Sequence, residues 1–115
     1  MPKKKKTPEE IVKEEVCQWL TDNNYFFWIT YNGAVYDRKS KSYRKPSRWH
    51  RRGVCDILGI TKDGRPLGIE LKAPESYRVS KEQKEFISIF NELGGLAFVA
   101  KSVDDVKKRL NIDHN

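Results

Sequence analysis

The clearest pattern of apolar and polar positions lies between Gly53 and Lys72, GVCDILGITKDGRPLGIELK. Two apolar runs flank a short polar stretch holding Asp63-Gly64, which predicts the two strands of a hairpin. Upstream the period lengthens: Val12, Val16, Trp19 and Leu20 recur at helical spacing and predict a buried stripe on a helix that runs to about Asp22. Thr7-Pro8-Glu9-Glu10 marks its start, with Thr7 as N-cap, Pro8 at the first position and Glu10 closing a capping box. Tyr25 to Tyr31, rich in aromatics and Ile, reads as the first strand, and Asn32-Gly33 turns the chain.

Residues 32–53 show no clear period and read as a long loop, a length that in a small domain is functional or disordered. Beyond the hairpin, Ala73-Pro74 stops the third strand, since Pro cannot donate to a ladder. Ser80 to Leu93 is a second helix with Phe86, Ile87, Phe90 and Leu93 as its apolar face, ended by Gly94-Gly95. Leu96 to Ala100 is a short buried strand. Ser102 caps a last helix to Leu110, supported by Asp105 at the third position, with Val103, Val106 and Leu110 inward. The order is α-β-β-β-α-β-α. An antiparallel hairpin followed by a right-handed parallel crossover from Gly68 to Ala100 implies an α/β fold, a mixed four-stranded sheet flanked by helices.

Three charged residues sit near the outer ends of the hairpin: Asp56, Glu70 and Lys72. Period-two alternation puts Glu70 and Lys72 on one face. A two-residue Asp63-Gly64 turn would set Asp56 opposite Leu71, on the other face. A three-residue loop Lys62-Asp63-Gly64, with Gly64 left-handed, pairs Thr61 with Arg65 and sets Asp56 directly opposite Glu70. Cross-strand Cβ atoms are then roughly 5 Å apart, which suits two ligands of one cation. Facing carboxylates repel otherwise, so the expectation is the three-residue loop and a bound divalent metal. Oxygen ligands of this kind suit Mg²⁺ or Mn²⁺. Lys72 adds an ammonium on the same face as Glu70. The bland alternative for all three is a set of surface ion-pair groups.

Composition narrows the class. The chain has 115 residues, of which 37% are hydrophobic and 34% charged, with a net charge of +7. That fits one soluble domain with one core, and no apolar run approaches the roughly 20 residues that span a bilayer. MPKKKK at the start lacks a following apolar region, so it reads as a basic mobile tail over residues 1–6 and not as a secretory signal. Cys17 and Cys55 lack metal-ligand spacing and read as buried free thiols in a reducing, cytoplasmic setting. Between Asp37 and Asp56 there is no acid, while Arg38, Lys39, Lys41, Arg44, Lys45, Arg48, Arg51 and Arg52 crowd the stretch with Tyr43 and Trp49 interleaved. Such a run fits a phosphate backbone and unstacked bases; a solvated loop that touches nothing is the alternative. Trp49 would stack on a base or wedge into a junction, or else pack in the core. His50 in the same stretch would touch phosphate.

Asp56 followed by Glu70-Leu71-Lys72 resembles the D…ExK signature of the PD-(D/E)xK nuclease superfamily. Arg51-Arg52-Gly53-Val54-Cys55-Asp56, Gly68 to Pro74, Ser80-Lys81-Glu82-Gln83 and Gly94 to Val99 together resemble the VRR-NUC family, over about residues 9–110. That family includes stand-alone phage and bacterial nucleases and the nuclease domain of a eukaryotic crosslink-repair enzyme. Cys55 departs from it, standing where Pro is expected, on the face away from the site. The resemblance implies a restriction-endonuclease-like core over residues 7–115, a metal ligand from the Leu71 carbonyl, and a further carboxylate from the first helix. Glu9 continues that helix's buried stripe and is the first choice; Glu15 is the alternative. It also implies that Lys72 orients the attacking water or the scissile phosphate and that Gln83 lies near the lysine and the substrate, although Ser80-x-x-Gln83 is itself a capping box. The implied activity is a metal-dependent DNA endonuclease, selective for four-way junctions or flaps, acting as a homodimer in a bacterial or phage-infected cell. Two competing readings are a non-catalytic nucleic-acid-binding module on the same fold and a restriction-type enzyme.

Overall fold

The computed structural model describes residues 5–30, 36–43 and 47–112. Helix α1 (Pro8–Asp22) opens on the expected capping box: the Glu10 N–H donates to Thr7 Oγ1, and the Thr7 N–H donates to Glu10. Strand β1 (Phe26–Ile29) follows, then a two-stranded ribbon of β2 (Tyr36–Asp37) and β3 (Ser42–Tyr43), then β4 (Ile57–Ile60), β5 (Pro66–Leu71), α2 (Lys81–Glu92), β6 (Leu96–Ala100) and α3 (Val103–Ile112). The main sheet has the order β1-β4-β5-β6, antiparallel except for the parallel β5–β6 pair. This is the expected α/β mixed sheet, with the ribbon as an insertion that the periodicity did not show.

The hairpin register is the one that the paired acids require. Ile57 faces Ile69 and Ile60 faces Pro66; the Thr61 N–H donates to the Arg65 carbonyl at 2.8 Å and the Gly64 N–H to the Thr61 carbonyl at 3.0 Å. Extending the register past Ile57 sets Asp56 opposite Glu70. Gly64 has φ +88°, with no atom near the space that a Cβ would fill. A Gly64→Ala variant is therefore expected to lose about 1 kcal/mol in a urea titration, from left-handed backbone alone, with the sheet intact.

One face of the sheet carries the core. Ile57, Leu67, Ile69, Leu71, Phe98 and Ala100 meet Val12, Val16 and Leu20 of α1 and Val106 and Leu110 of α3. Full burial of aliphatic side chains at about 2 kcal/mol each makes this the main stabilising layer. The other face carries Asp56 and Glu70, and α2 crosses it over β5 and β6. Phe26, Trp28 and Ile60 on that face stay exposed.

Several expectations are corrected. Strand β1 is shorter than Tyr25–Tyr31: the Tyr25 ring instead stacks on Trp19, centroids 5.8 Å apart, with the Lys62 ammonium 4.4 Å from it. Leu93 is 82% exposed, because it is the C-cap of α2 and has already turned off the apolar face. Cys17 is only half-buried, whereas Cys55 is fully buried, and not on the face away from the site: its sulfur lies against Gly68, on the side of β5 that carries Glu70. Lys6, read as tail, pairs with Glu14 at 2.6 Å; residues 1–4 and the Asn32-Gly33 turn lie outside the described residues.

Candidate active site

Each acid is held by backbone geometry. Asp56 stands just before β4, where the Thr30 N–H donates to its carbonyl at 2.8 Å and Thr30 Oγ1 donates to the Cys55 carbonyl at 2.7 Å. Its side chain reaches across the hairpin, and Oδ2 accepts the Leu71 N–H at 2.8 Å. Glu70 lies in mid-sheet and is 3% exposed. Its Oε1 accepts a hydrogen bond from Gln83 Nε2 at 2.7 Å and faces Lys72 Nζ at 3.7 Å, an ion-pair distance beyond hydrogen-bond reach.

Glu70 Oε2 is buried and has no hydrogen-bond partner. Burial, followed by the charge of Asp56 and by the hydrogen bond that a protonated Glu70 can give that carboxylate, pushes the Glu70 carboxyl up to about 8; Lys72 opposes this and Glu9 adds to it. A buried carboxylate with an orphaned oxygen beside a second carboxylate is costly unless it takes a proton or a cation. The donor set, two carboxylates open to a cavity, fits a hard divalent ion that keeps waters.

That cavity holds about 450 Å³ and is lined by Glu9, Arg52, Gly53, Val54, Asp56, Glu70, Lys72, Ser80, Glu82 and Gln83. The structure thus brings together Asp56, Glu70, Lys72, Gln83 and Glu9. Glu15 faces another cleft, with Gln18, Trp19 and Asp22; six residues at about 100° each carry it well round the helix from Glu9. Among the described residues, no group of three or more His, Cys, Asp or Glu is drawn together as a cation site, so Glu9 lines the cavity without closing a three-acid set.

Gln83 serves both roles that competed for it. Its Oε1 accepts the Ser80 N–H at 2.9 Å, completing the capping box, while Nε2 holds Glu70. An amide can do this because it carries an acceptor and a donor at one end. Three lining residues, Gly53, Val54 and Glu82, stood in the motifs above without a site role of their own. Gly53 has φ +79°, and a Cβ there would lie 2.4 Å from the Glu82 carbonyl group and 2.7 Å from the Gln83 nitrogen. Its place before an Asp was the available signal; the contact across some thirty residues was not readable.

The basic stretch is dispersed. Arg52 lines the acid cavity. Arg51 pairs with Glu85 at 3.4 Å, both half-exposed, an arrangement that stabilises little. Trp49 is 80% exposed, which removes the core-packing reading, and the Arg48 guanidinium lies 4.9 Å from its ring centroid. Arg38, Lys39 and Lys41 are exposed at the turn of the β2–β3 ribbon, and His50 is exposed beside Trp49. Arg44 and Lys45 lie outside the described residues.

No family model matches the chain, and no curated protein matches it. A solved structure described as a VRR_NUC domain protein shares its fold, with a TM-score of 0.63 and 21% sequence identity, over 96% of this chain and 88% of that one. The fold shared with that structure is this chain's mixed four-stranded sheet flanked by helices, as expected from the sequence. No described helix is long and apolar enough to cross a membrane.

Proposed function

We propose that the chain is a VRR-NUC-type nuclease, a metal-dependent endonuclease that hydrolyses DNA phosphodiester bonds. The observation that carries this is the orphaned, buried Glu70 Oε2 beside Asp56, at the mouth of a cavity reached by Arg52 and Lys72. Asp56, Glu70 and the Leu71 carbonyl would hold Mg²⁺ or Mn²⁺, with Glu9 on the same cavity wall as a further carboxylate. The ion would supply a lowered water pKa and charge neutralisation at the phosphate.

The chain's own groups do the positioning. Gln83 fixes Oε1 of Glu70 and leaves the buried Oε2 without a hydrogen-bond partner. The Leu71 N–H fixes Asp56 Oδ2 in the same way. Lys72, at 3.7 Å from Glu70 and mostly buried, is placed to hold the attacking water or a phosphate oxygen. The exposed cations Arg38, Lys39, Lys41, Arg48, Arg51 and Arg52 would track the phosphate backbone, together with Arg44 and Lys45 of the same stretch, and Trp49 offers a ring to an unpaired base. Selectivity for four-way junctions or flaps, and action as a homodimer, belong to the same proposal. The exposed apolar side chains Phe26, Trp28 and Ile29 on edge strand β1 support pairing with a second copy.

Cleavage of linear duplex, flap, splayed-arm and four-way-junction DNA in Mg²⁺ and in Mn²⁺ tests the reading, beside a calorimetric Mn²⁺ titration. Lys72→Ala is expected to keep Mn²⁺ binding and to lose cleavage by on the order of 10²-fold or more. DNA binding with no Mn²⁺ heat and no cleavage would instead identify a non-catalytic module. Equal cleavage of linear duplex at a preferred sequence would identify a restriction-type enzyme.

A further inference from the structure

We infer that Lys101 and Tyr77 form a nucleotide subsite beside Lys72, taking a phosphate on the ammonium and an unpaired base on the ring. This deepens the proposed function, since it rests on a nucleic-acid strand lying at Lys72.

The register places the lysines together. In the parallel β5–β6 pair Glu70 faces Val99 and Leu71 faces Ala100, and the Lys72 N–H donates to the Ala100 carbonyl at 3.0 Å. One residue further along each strand stand Lys72 and Lys101. Both lie one step past the strand ends; continued over that step, which the Lys72–Ala100 bond supports, alternation puts them on the face that carries Glu70. Neighbouring ammonium groups on one face repel unless an anion lies between or above them.

Among the described residues no carboxylate pairs with the Lys101 ammonium. Asp105, the acid nearest in α3, spends Oδ2 on the Lys101 backbone N–H at 2.9 Å. The ammonium instead lies 4.3 Å from the centroid of the Tyr77 ring. Tyr77 is 89% exposed in the loop between β5 and α2, so its ring adds nothing to the core. With a cation on one face, the ring leaves the other open to a base.

The strand order decides where this subsite lies. β4 with Asp56 flanks β5 on one side, and β6 with Lys101 flanks it on the other. Arg52 enters the cavity of the acids, whereas Lys101 and Tyr77 extend the site across Lys72, away from Asp56. A strand whose scissile phosphate sits at the acids would continue over Lys72 onto this pair. A phosphate contact beside an aromatic platform is the arrangement that takes single-stranded nucleotides with little sequence preference.

The test is fluorescence anisotropy with a labelled splayed-arm DNA and a blunt duplex of the same paired sequence, in EDTA so that nothing is cut. Lys101→Ala is expected to weaken both DNAs about fivefold and to lower the salt slope by about 0.7 to 0.9. Tyr77→Leu is expected to weaken the splayed arm at least about fivefold and the duplex by less than about twofold, while Tyr77→Phe binds as wild type. An unchanged salt slope in Lys101→Ala, or equal losses on both DNAs in Tyr77→Leu, would overturn the subsite. A protein that shows the selective losses yet cuts nothing in Mg²⁺ or Mn²⁺ keeps the subsite and loses the nuclease reading. One that cuts DNA and is indifferent to these substitutions does the reverse, and one that neither binds these DNAs nor cuts them in Mg²⁺ or Mn²⁺ loses both.

Discussion

Glu70→Gln is expected to remove cleavage by on the order of 10³-fold, the loss of several kcal/mol of transition-state stabilisation, while making the metal-free protein more stable at alkaline pH. The two effects have one cause. Wild-type Glu70 is buried beside Asp56, and its carboxyl is pushed up to about 8 from an ordinary value of 4.5. The folded protein therefore holds this proton more tightly than the unfolded chain does. The stabilisation from the bound proton is fully present below about pH 4.5. It is lost as the pH rises toward and through 8, when a second carboxylate charge must sit beside Asp56 with only the Lys72 ammonium, 3.7 Å away, to offset it.

Glutamine never carries that charge. Its carbonyl can still accept from Gln83, and its amide can donate toward Asp56, so the polar contacts survive. Thermal unfolding in EDTA at pH 5 and pH 8.5 reads the difference. Wild type should fall by several degrees more than Glu70→Gln across that interval. Added Mn²⁺ at pH 8.5 should raise wild type and leave the variant where it was. Parallel pH dependences, with Mn²⁺ stabilising both alike, would mean that Glu70 is neither strained nor a ligand.

The acid pair was legible because two constraints on it coincide. A period of two fixes which residues share a face, and Asp63-Gly64 limits the loop to two choices. Only one of these makes sense of facing carboxylates, and the Thr61–Arg65 bonding shows that one. The helix starts were legible for a similar reason: Thr7 with Glu10, and Ser80 with Gln83, are local devices whose partners lie three residues away. What was not legible depends on contacts between distant segments. The ribbon of Tyr36–Asp37 with Ser42–Tyr43 is two residues long per strand, too short to show a period. Leu93 fits the helical stripe in sequence, but the helix ends before it. Glu9 and Glu15 both sit on α1, and only the placement of α1 against the sheet separates them. The exposure of Trp49 depends on where the preceding loop lies, which composition does not determine.

Gly53→Ala is the substitution outside the ionisable set with the largest expected effect. Its backbone is left-handed, which costs an alanine about 1–2 kcal/mol. The same cost applies to Gly64, whose surroundings are open, so the two positions form a matched pair. At Gly53 the added methyl would also lie 2.4 Å from the carbonyl carbon and oxygen of Glu82, and these are backbone atoms in the first turn of α2. No rotamer change relieves that contact, so the turn has to move, at a further cost of about 1–3 kcal/mol. The turn that moves carries Gln83, whose amide holds Glu70 and whose other end closes the cap on Ser80. Gly53→Ala is therefore expected to lose about 2–5 kcal/mol in a urea titration and to slow single-turnover cleavage at least about tenfold. Gly64→Ala should lose about 1 kcal/mol and cut at the wild-type rate. Because the damage passes through Glu70, the Gly53 variant should also bind Mn²⁺ more weakly at a temperature where it remains folded. If the two alanine variants lose equal stability and cut alike, then the approach of residues 53 to α2 does not position the site, and the aim of Glu70 must be set by the sheet alone.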